Sequence, residues 1–255
     1  MLDIHSHILP GLDDGAKTIV STLEMLSIAI TDGTKKIVAT PHYCSGYFET
    51  PYDKVCEYVK ELNAMLIRKH LDIEVIAGQE VYLDKFTLDN LENNVIGTIG
   101  KSNYMLVEFP INNFNEDDIA LIYELKLQGI KPIVAHPERY EYVIENLAII
   151  NKLIDEKCLF QINSGSLTGV YGKKVKNTAE NLIKNGVCNF VGSDAHSQNK
   201  RKPQTLEAME IIKKLNNDVY INIGKNNQSL LSNKDIESVR CNIKSKKSFF
   251  DIFNR

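Results

Sequence analysis

The sequence predicts an α/β fold, a parallel barrel built from seven β–α units. Three observations carry this. Short apolar runs recur at 2–8, 36–41, 73–79, 104–109, 133–136, 159–163 and 188–193. Stretches of helical periodicity separate them, with no break in composition to divide the chain, so one domain spanning 1–255 is expected. Histidines and carboxylates sit where the runs give way to loops, at the strand ends that carry the active site of a parallel barrel.

Taken in order, the helical patterns fall near 18–32, 53–69, 116–128, 146–157, 176–185 and 204–215, the first with Ile19, Leu23, Leu26, Ala29 and Ile30 on one face. Gly33, Gly129 and Gly186 follow helical stretches and precede strands, where a glycine ends a helix. Pro132 cannot donate a ladder hydrogen bond, so the fifth strand is expected to start at Ile133. Between the third and fourth runs, a short helical patch (Leu83 to Leu91) is followed by an extra strand-like run, Val95 to Ile99. Beyond residue 217, Val219 to Ile223 reads as a strand, then a helical patch, then a basic and aromatic end from Lys244 to Phe250. That end is expected to pack as a terminal segment.

Composition narrows the function classes. The chain has 255 residues, 43% of them apolar, and a net charge of −3 with both signs interspersed. Without a Lys/Arg block it lacks the electrostatic footprint of a nucleic-acid partner. No apolar run approaches the ~20 residues that span a bilayer, and the N-terminus lacks the basic and apolar regions of a signal peptide. A cytoplasmic protein is expected. The five cysteines are dispersed and never spaced as CxxC, against a disulfide framework or thiolate zinc site. A C-x5-R phosphatase loop is also missing, since the residues six positions after each Cys are Thr50, Leu62, Ser164, Asp194 and Lys247.

The chemistry-bearing residues are His5 and His7, His42, Glu80, Glu108, His136, and Asp194 with His196. Buried singly such groups are costly, but neutral His and ionised carboxylates are the usual ligands of divalent metals. Strand residues two apart face the same way, so His5-x-His7 and Asp194-x-His196 can each present two ligands to one ion. An isolated HxH is a weak signal; two such pairs, four further strand-end ligands and the loop Asp13-Asp14-Gly15 make a strong one. His70, at the end of a helical run, is read as a capping or solvated residue and excluded. Tyr43, Tyr47, Phe48 and Tyr52 crowd the loop after His42, either as rim packing or as a wall for an aromatic substrate. Arg139 and Arg201 follow metal-ligand candidates, where a guanidinium fork can hold phosphate oxygens.

The motifs His5-Ser6-His7, Asp13-Asp14-Gly15, His136-Pro137-Glu138-Arg139-Tyr140 and Ser193-Asp194-Ala195-His196 resemble the polymerase-and-histidinol-phosphatase (PHP) superfamily. Within it, Phe48-Glu49-Thr50-Pro51, Gln161-Ile162-Asn163-Ser164 and the position of Arg201 resemble the bacterial manganese-dependent protein-tyrosine phosphatases of capsular and exopolysaccharide loci. The likeness runs from residue 1 to about 225. It implies a distorted (β/α)7 barrel with three divalent ions, Mn²⁺ foremost, with Fe, Co and Zn chemically admissible. One ion would be held by His5, His7, Glu80 and Asp194, and a second by Glu80, Glu108 and His136. The third would take His42, His196 and Asp14, with Asp13 the adjacent alternative. Arg139 and Arg201 match the family's phosphate-binding arginines; the leaving-group proton has His42 or a metal-bound water as candidate sources. The implied substrate is a phosphotyrosine protein, a membrane-associated tyrosine autokinase; the runner-up is a small molecule such as histidinol phosphate. One departure follows Gln161–Ser164, where Gly165-Ser166-Leu167-Thr168-Gly169 makes a small, flexible rim.

Overall fold

The computed structural model describes residues 1–244. Among these, nine parallel strands run β1 (Leu2–Ser6), β2 (Lys36–Ala39), β3 (His42–Tyr43), β4 (Glu74–Ala77), β5 (Glu80–Tyr82), β6 (Tyr104–Glu108), β7 (Lys131–Ala135), β8 (Leu159–Asn163) and β9 (Phe190–Gly192). The helices are α1 (Ile19–Thr31), α2 (Tyr52–Arg68), α3 (Thr87–Glu92), α4 (Glu116–Leu127), α5 (Glu141–Glu145), α6 (Ile150–Asp155), α7 (Ser164–Thr168), α8 (Lys173–Lys184), α9 (Leu206–Leu215) and α10 (Asn217–Leu231). β2 with β3, and β4 with β5, are each one run of chain broken near its middle, so the nine segments make seven barrel positions.

The sheet curls in the order β1-β2-β4 and then β3-β5-β6-β7-β8-β9. Asp194 N–H donates to His5 O and His7 N–H to Ala195 O, both at 2.8 Å, which ties the chain after β9 back to β1. The distorted α/β barrel expected from the sequence is the fold observed. Its interior is layered. Leu2, Ile4, Val38, Leu106, Ile133, Leu159 and Phe190 form one apolar cluster, plugged by Leu230 of α10. Two residues further along the same strands, Glu108 follows Leu106 and Gln161 follows Leu159, so the pleat carries the apolar layer up into a polar one. β1 has a register irregularity between Asp3 and Ser6, where His5 sits. Outside, α2 lays Val55, Val59, Leu62 and Leu66 on the sheet at helical spacing. Thr18 and Ser21 form a capping box at the start of α1, and Asn115 with Asp118 does the same for α4.

Four local expectations fail. Residues 219–223 lie inside α10, not in a strand. Asn216 caps that helix by accepting from Val219 N–H, and Val219, Ile223 and Leu230 share its buried face, so packing overrides β-propensity. Val95 to Ile99 forms no strand either: Val95 N–H closes a turn on Asn90 O, and Gly97 packs under the Tyr52 ring. β7 begins at Lys131 with Pro132 inside it, because β8 pairs only from Ile133 onward and asks no donor of Pro132. The small-residue rim is ordered as α7, with Ser164, Ser166 and Leu167 buried. The basic, aromatic end lies outside the described residues apart from Lys244.

Candidate metal centre

All nine ligand candidates converge on the C-terminal rim of the barrel. They fall into four overlapping groups whose donor atoms lie within 4.8 Å of one another: His7, Asp14, His42 and His196; His5, His7 and Glu80; His5, His136 and Asp194; and His42, Glu80 and Glu108. The partition therefore differs in detail from the expected one. His7 also joins the Asp14 group, and His42 reaches Glu80 as well as Asp14. His136 sits 2.8 Å from Glu80 Oε1 and 3.5 Å from Glu108 Oε1, as the second expected group requires.

The two adjacent aspartates separate. Asp13 is consumed by positioning: its Oδ2 accepts from His7 Nδ1 at 2.6 Å and from His42 N–H at 3.0 Å, and its Oδ1 accepts from Gly15 N–H. Burial raises its pKa, but His7 and these amides outweigh that and bring it down to about 2. Asp14, its side chain 53% exposed, instead turns Oδ1 towards His196 Nε2 at 3.1 Å. Gly15 is obligatory here, because a Cβ would stand 2.1 Å from His7 O. On the other flank Gln161 Oε1 faces His5 Nδ1 at 2.9 Å, and Asn163 Nδ2 donates to Asp194 Oδ2 at 2.6 Å. Acceptors on Nδ1 of both His5 and His7 fix the protons there and leave each Nε2 a bare lone pair.

Those lone pairs have nowhere to go. His5 Nε2 and His7 Nε2 face each other at 3.1 Å. Glu80 Oε2 lies 3.1 Å from His5 Nε2, 3.2 Å from His7 Nε2 and 3.1 Å from His42 Nδ1, yet accepts no hydrogen bond. His196 Nε2 and His136 Nδ1 are also buried without a hydrogen-bond partner. Orphaned buried acceptors aimed at common points are costly unless a cation occupies them. Charge in the metal-free centre divides: against burial, Glu80 and Asp194 raise the pKa of His5 and Asp13 raises that of His7 well above the ordinary imidazole value, a proton that a bound cation would replace. Burial, with help from neighbouring Glu80, pushes Glu108 up to about 9. Burial pushes His136 and His196 down to about 4, aided by Arg139 and His7 respectively, and so keeps both rings neutral. The donor set fits divalent cations.

Backbone strain marks the same rim. His136 (φ 31°) and Asp194 (φ 52°), each just past a strand end, occupy the left-handed region that non-glycine residues avoid. Arg139 Nη1 donates to Asp194 Oδ2 at 2.9 Å, while Arg201 pairs with Asp194 Oδ1. Of the four aromatic residues, only Phe48 lies against the site, stacked on His42 with ring centroids 5.7 Å apart. Tyr43 is buried, Tyr52 donates to Gly100 O, and Tyr47 is 83% exposed. His42, also expected as a proton source, has both ring nitrogens turned to carboxylates. His70 is exposed at the end of α2, far in role from the cluster. Sequence reasoning missed Tyr171, whose ring lies beside both arginines; it sits in a loop with no motif around it.

Residues 1–232 match the family described as capsular polysaccharide synthesis, CpsB/CapC. The chain belongs to this family. It is 33% identical over 237 residues to the tyrosine-protein phosphatase YwqE of Bacillus subtilis, covering 92% of this chain and 93% of that protein. It is 32% identical over 219 residues to the tyrosine-protein phosphatase CpsB of Streptococcus pneumoniae, covering 84% and 90%. Among crystal structures of YwqE and CpsB, described as unique metal-dependent tyrosine phosphatases, one chain matches with a TM-score of 0.90 at 32% identity, over 96% of this chain and 100% of that one. A histidinol phosphate phosphatase of Lactococcus lactis matches with a TM-score of 0.54 at 16% identity, over 84% and 93%, and shares the fold alone.

Proposed function

We propose that this CpsB/CapC-family protein is a metal-dependent protein-tyrosine phosphatase, one catalytic unit acting in the cytoplasm on a membrane-associated tyrosine autokinase that governs capsular or extracellular polysaccharide synthesis. The observation that carries the reading is the convergence of three imidazole nitrogens on the unsatisfied Glu80 Oε2, with two arginines across Asp194. The full-length likeness to tyrosine phosphatases supplies the substrate class. No helix among the described residues is long and apolar enough to cross a membrane.

In this reading His5, His7, Asp14, His42, Glu80, Glu108, His136, Asp194 and His196 hold the cations, Mn²⁺ foremost among them. Divalent ions bound there supply Lewis-acid polarisation of the phosphoryl group and activate the nucleophile at neutral pH. The chain's own residues do the rest. Asp13 and Gln161 lock the His7 and His5 rings with Nε2 turned inward. Arg139 and Arg201 would take phosphoryl oxygens and offset the charge of the transition state. His42 would serve as a ligand, since its Nε2 and Nδ1 face the carboxylates of Asp14 and Glu80. A phenolate leaving group, with a pKa of ~10, needs little acid assistance, which suits phosphotyrosine better than an alkyl phosphate.

The test is phosphate release from a phosphotyrosine peptide and from histidinol phosphate, side by side, in Mn²⁺ and after chelation. Chelator-sensitive turnover of the peptide is expected. Turnover of histidinol phosphate alone would move the protein to small-molecule metabolism.

A further inference from the structure

We infer that Tyr171 is a positioning residue whose ring seats both phosphate-binding arginines. The inference rests on the reading that Arg139 and Arg201 bind the phosphoryl group. Two like charges that must grip one phosphate repel each other before it arrives, and each lowers the other's tendency to stay nearby. The Tyr171 ring answers this from one side. Arg139 Cζ lies 4.8 Å from its centroid and Arg201 Cζ 5.8 Å, both within cation–π range. Its hydroxyl donates to Asp194 Oδ2 at 3.4 Å, the oxygen that Arg139 Nη1 also meets at 2.9 Å. Arg201 Nε donates to the backbone oxygen of Asp194. The guanidinium groups are thus held between one carboxylate and one aromatic ring, with their free donors available to a ligand.

The loop is built to hold the ring there. Tyr171 follows α7, between Gly169 (φ 89°) and Gly172 (φ 87°), and Val170 N–H donates to Gly165 O at 2.8 Å. Gly165 faces the ring edge: a Cβ there would stand 3.1 Å from Tyr171 Cε2. Gly165 therefore leaves room for the ring. The hydroxyl also touches a proposed cation ligand, Asp194, so metal content is measured beside phosphate binding to separate the two routes.

The test uses the Mn²⁺-loaded full chain, with inorganic phosphate binding measured by calorimetry, KM and kcat on a phosphotyrosine peptide, and metal content. Tyr171→Leu removes the π face at similar size; it is expected to weaken phosphate binding and raise KM about tenfold with metal content unchanged. Tyr171→Phe keeps the ring and is expected to stay within about twofold of wild type on both readouts. A fall in kcat alone, with KM and phosphate affinity unmoved, would mark a merely structural role and overturn the inference, as would Tyr171→Phe behaving like Tyr171→Leu. Should Tyr171→Leu not fold, Tyr171→Met decides: weaker phosphate binding with metal content unchanged supports the seat, and unchanged binding overturns it. A wild type that binds phosphate but does not hydrolyse the peptide would refute the proposed reaction while leaving the arginine seat standing; one that binds no phosphate refutes both.

Discussion

Single residues at this rim carry separable tasks, and substitution can tell them apart. His136 meets Glu80 and Glu108 while its backbone sits in a strained conformation. His136→Ala is expected to cut turnover more than about 100-fold and lower metal content, with the circular dichroism spectrum retained; near wild-type turnover would remove His136 from the centre. Asp13 is different, because it touches His7 Nδ1 and two amides and orients a ligand from behind. Asp13→Asn is therefore expected to weaken Mn²⁺ affinity by about 10–100-fold, the usual cost of losing an orienting carboxylate. A metal titration followed by activity measures it. Sequence placed both aspartates in one loop and could not rank them; only the direction each side chain takes after His7 separates them. That His5, His7, His42, Glu80, Glu108, His136, Asp194 and His196 come together was legible because each ends an apolar run, and such a run has few other uses for a buried imidazole or carboxylate.

Elements were legible where one local signal dominated. Helix α2 is amphipathic and ends at Arg68, within a residue of the expected boundary. Residues 219–223 misled because β-branched residues also build a helix when a cap and a buried face favour one. The short helical turn Pro137–Arg139 shows what periodicity cannot reveal. Glu138 there is buried, and its Oε1 accepts from Asn163 N–H at 2.9 Å and Ser166 Oγ at 2.6 Å, clasping that turn to the start of α7. Burial raises its pKa to about 7 from an ordinary 4.5, despite both hydrogen bonds. The folded state thus binds the proton more tightly than the unfolded chain. The stability this contributes is present below pH ~4.5 and lost as pH rises to ~7, at most about 3 kcal/mol. Glu138→Gln keeps both acceptor contacts and cannot ionise. In metal-free protein its stability relative to wild type should rise between pH 5 and 8, and parallel denaturation curves across that range would contradict the assignment.

At the scale of the whole molecule, the barrel holds an apolar layer below and a crowded polar layer above. Seven strand ends aimed at one point explain why so many candidate ligands meet without any long-range sequence motif. In the metal-free centre burial, with neighbouring Glu80 adding to it, pushes Glu108 up to about 9, and a bound cation would relieve that cost. Metal should therefore stabilise the fold, by about 2.7 kcal/mol at a free concentration 100 times its dissociation constant, and chelation should lower the melting temperature. The most direct test of a catalytic, multinuclear centre is to titrate Mn²⁺ into chelated protein while counting bound ions and following phosphotyrosine-peptide hydrolysis. Turnover is predicted to be absent in the metal-free protein and to appear only as more than one ion per chain is bound. Full turnover in metal-free protein, or at a single ion per chain, would contradict it.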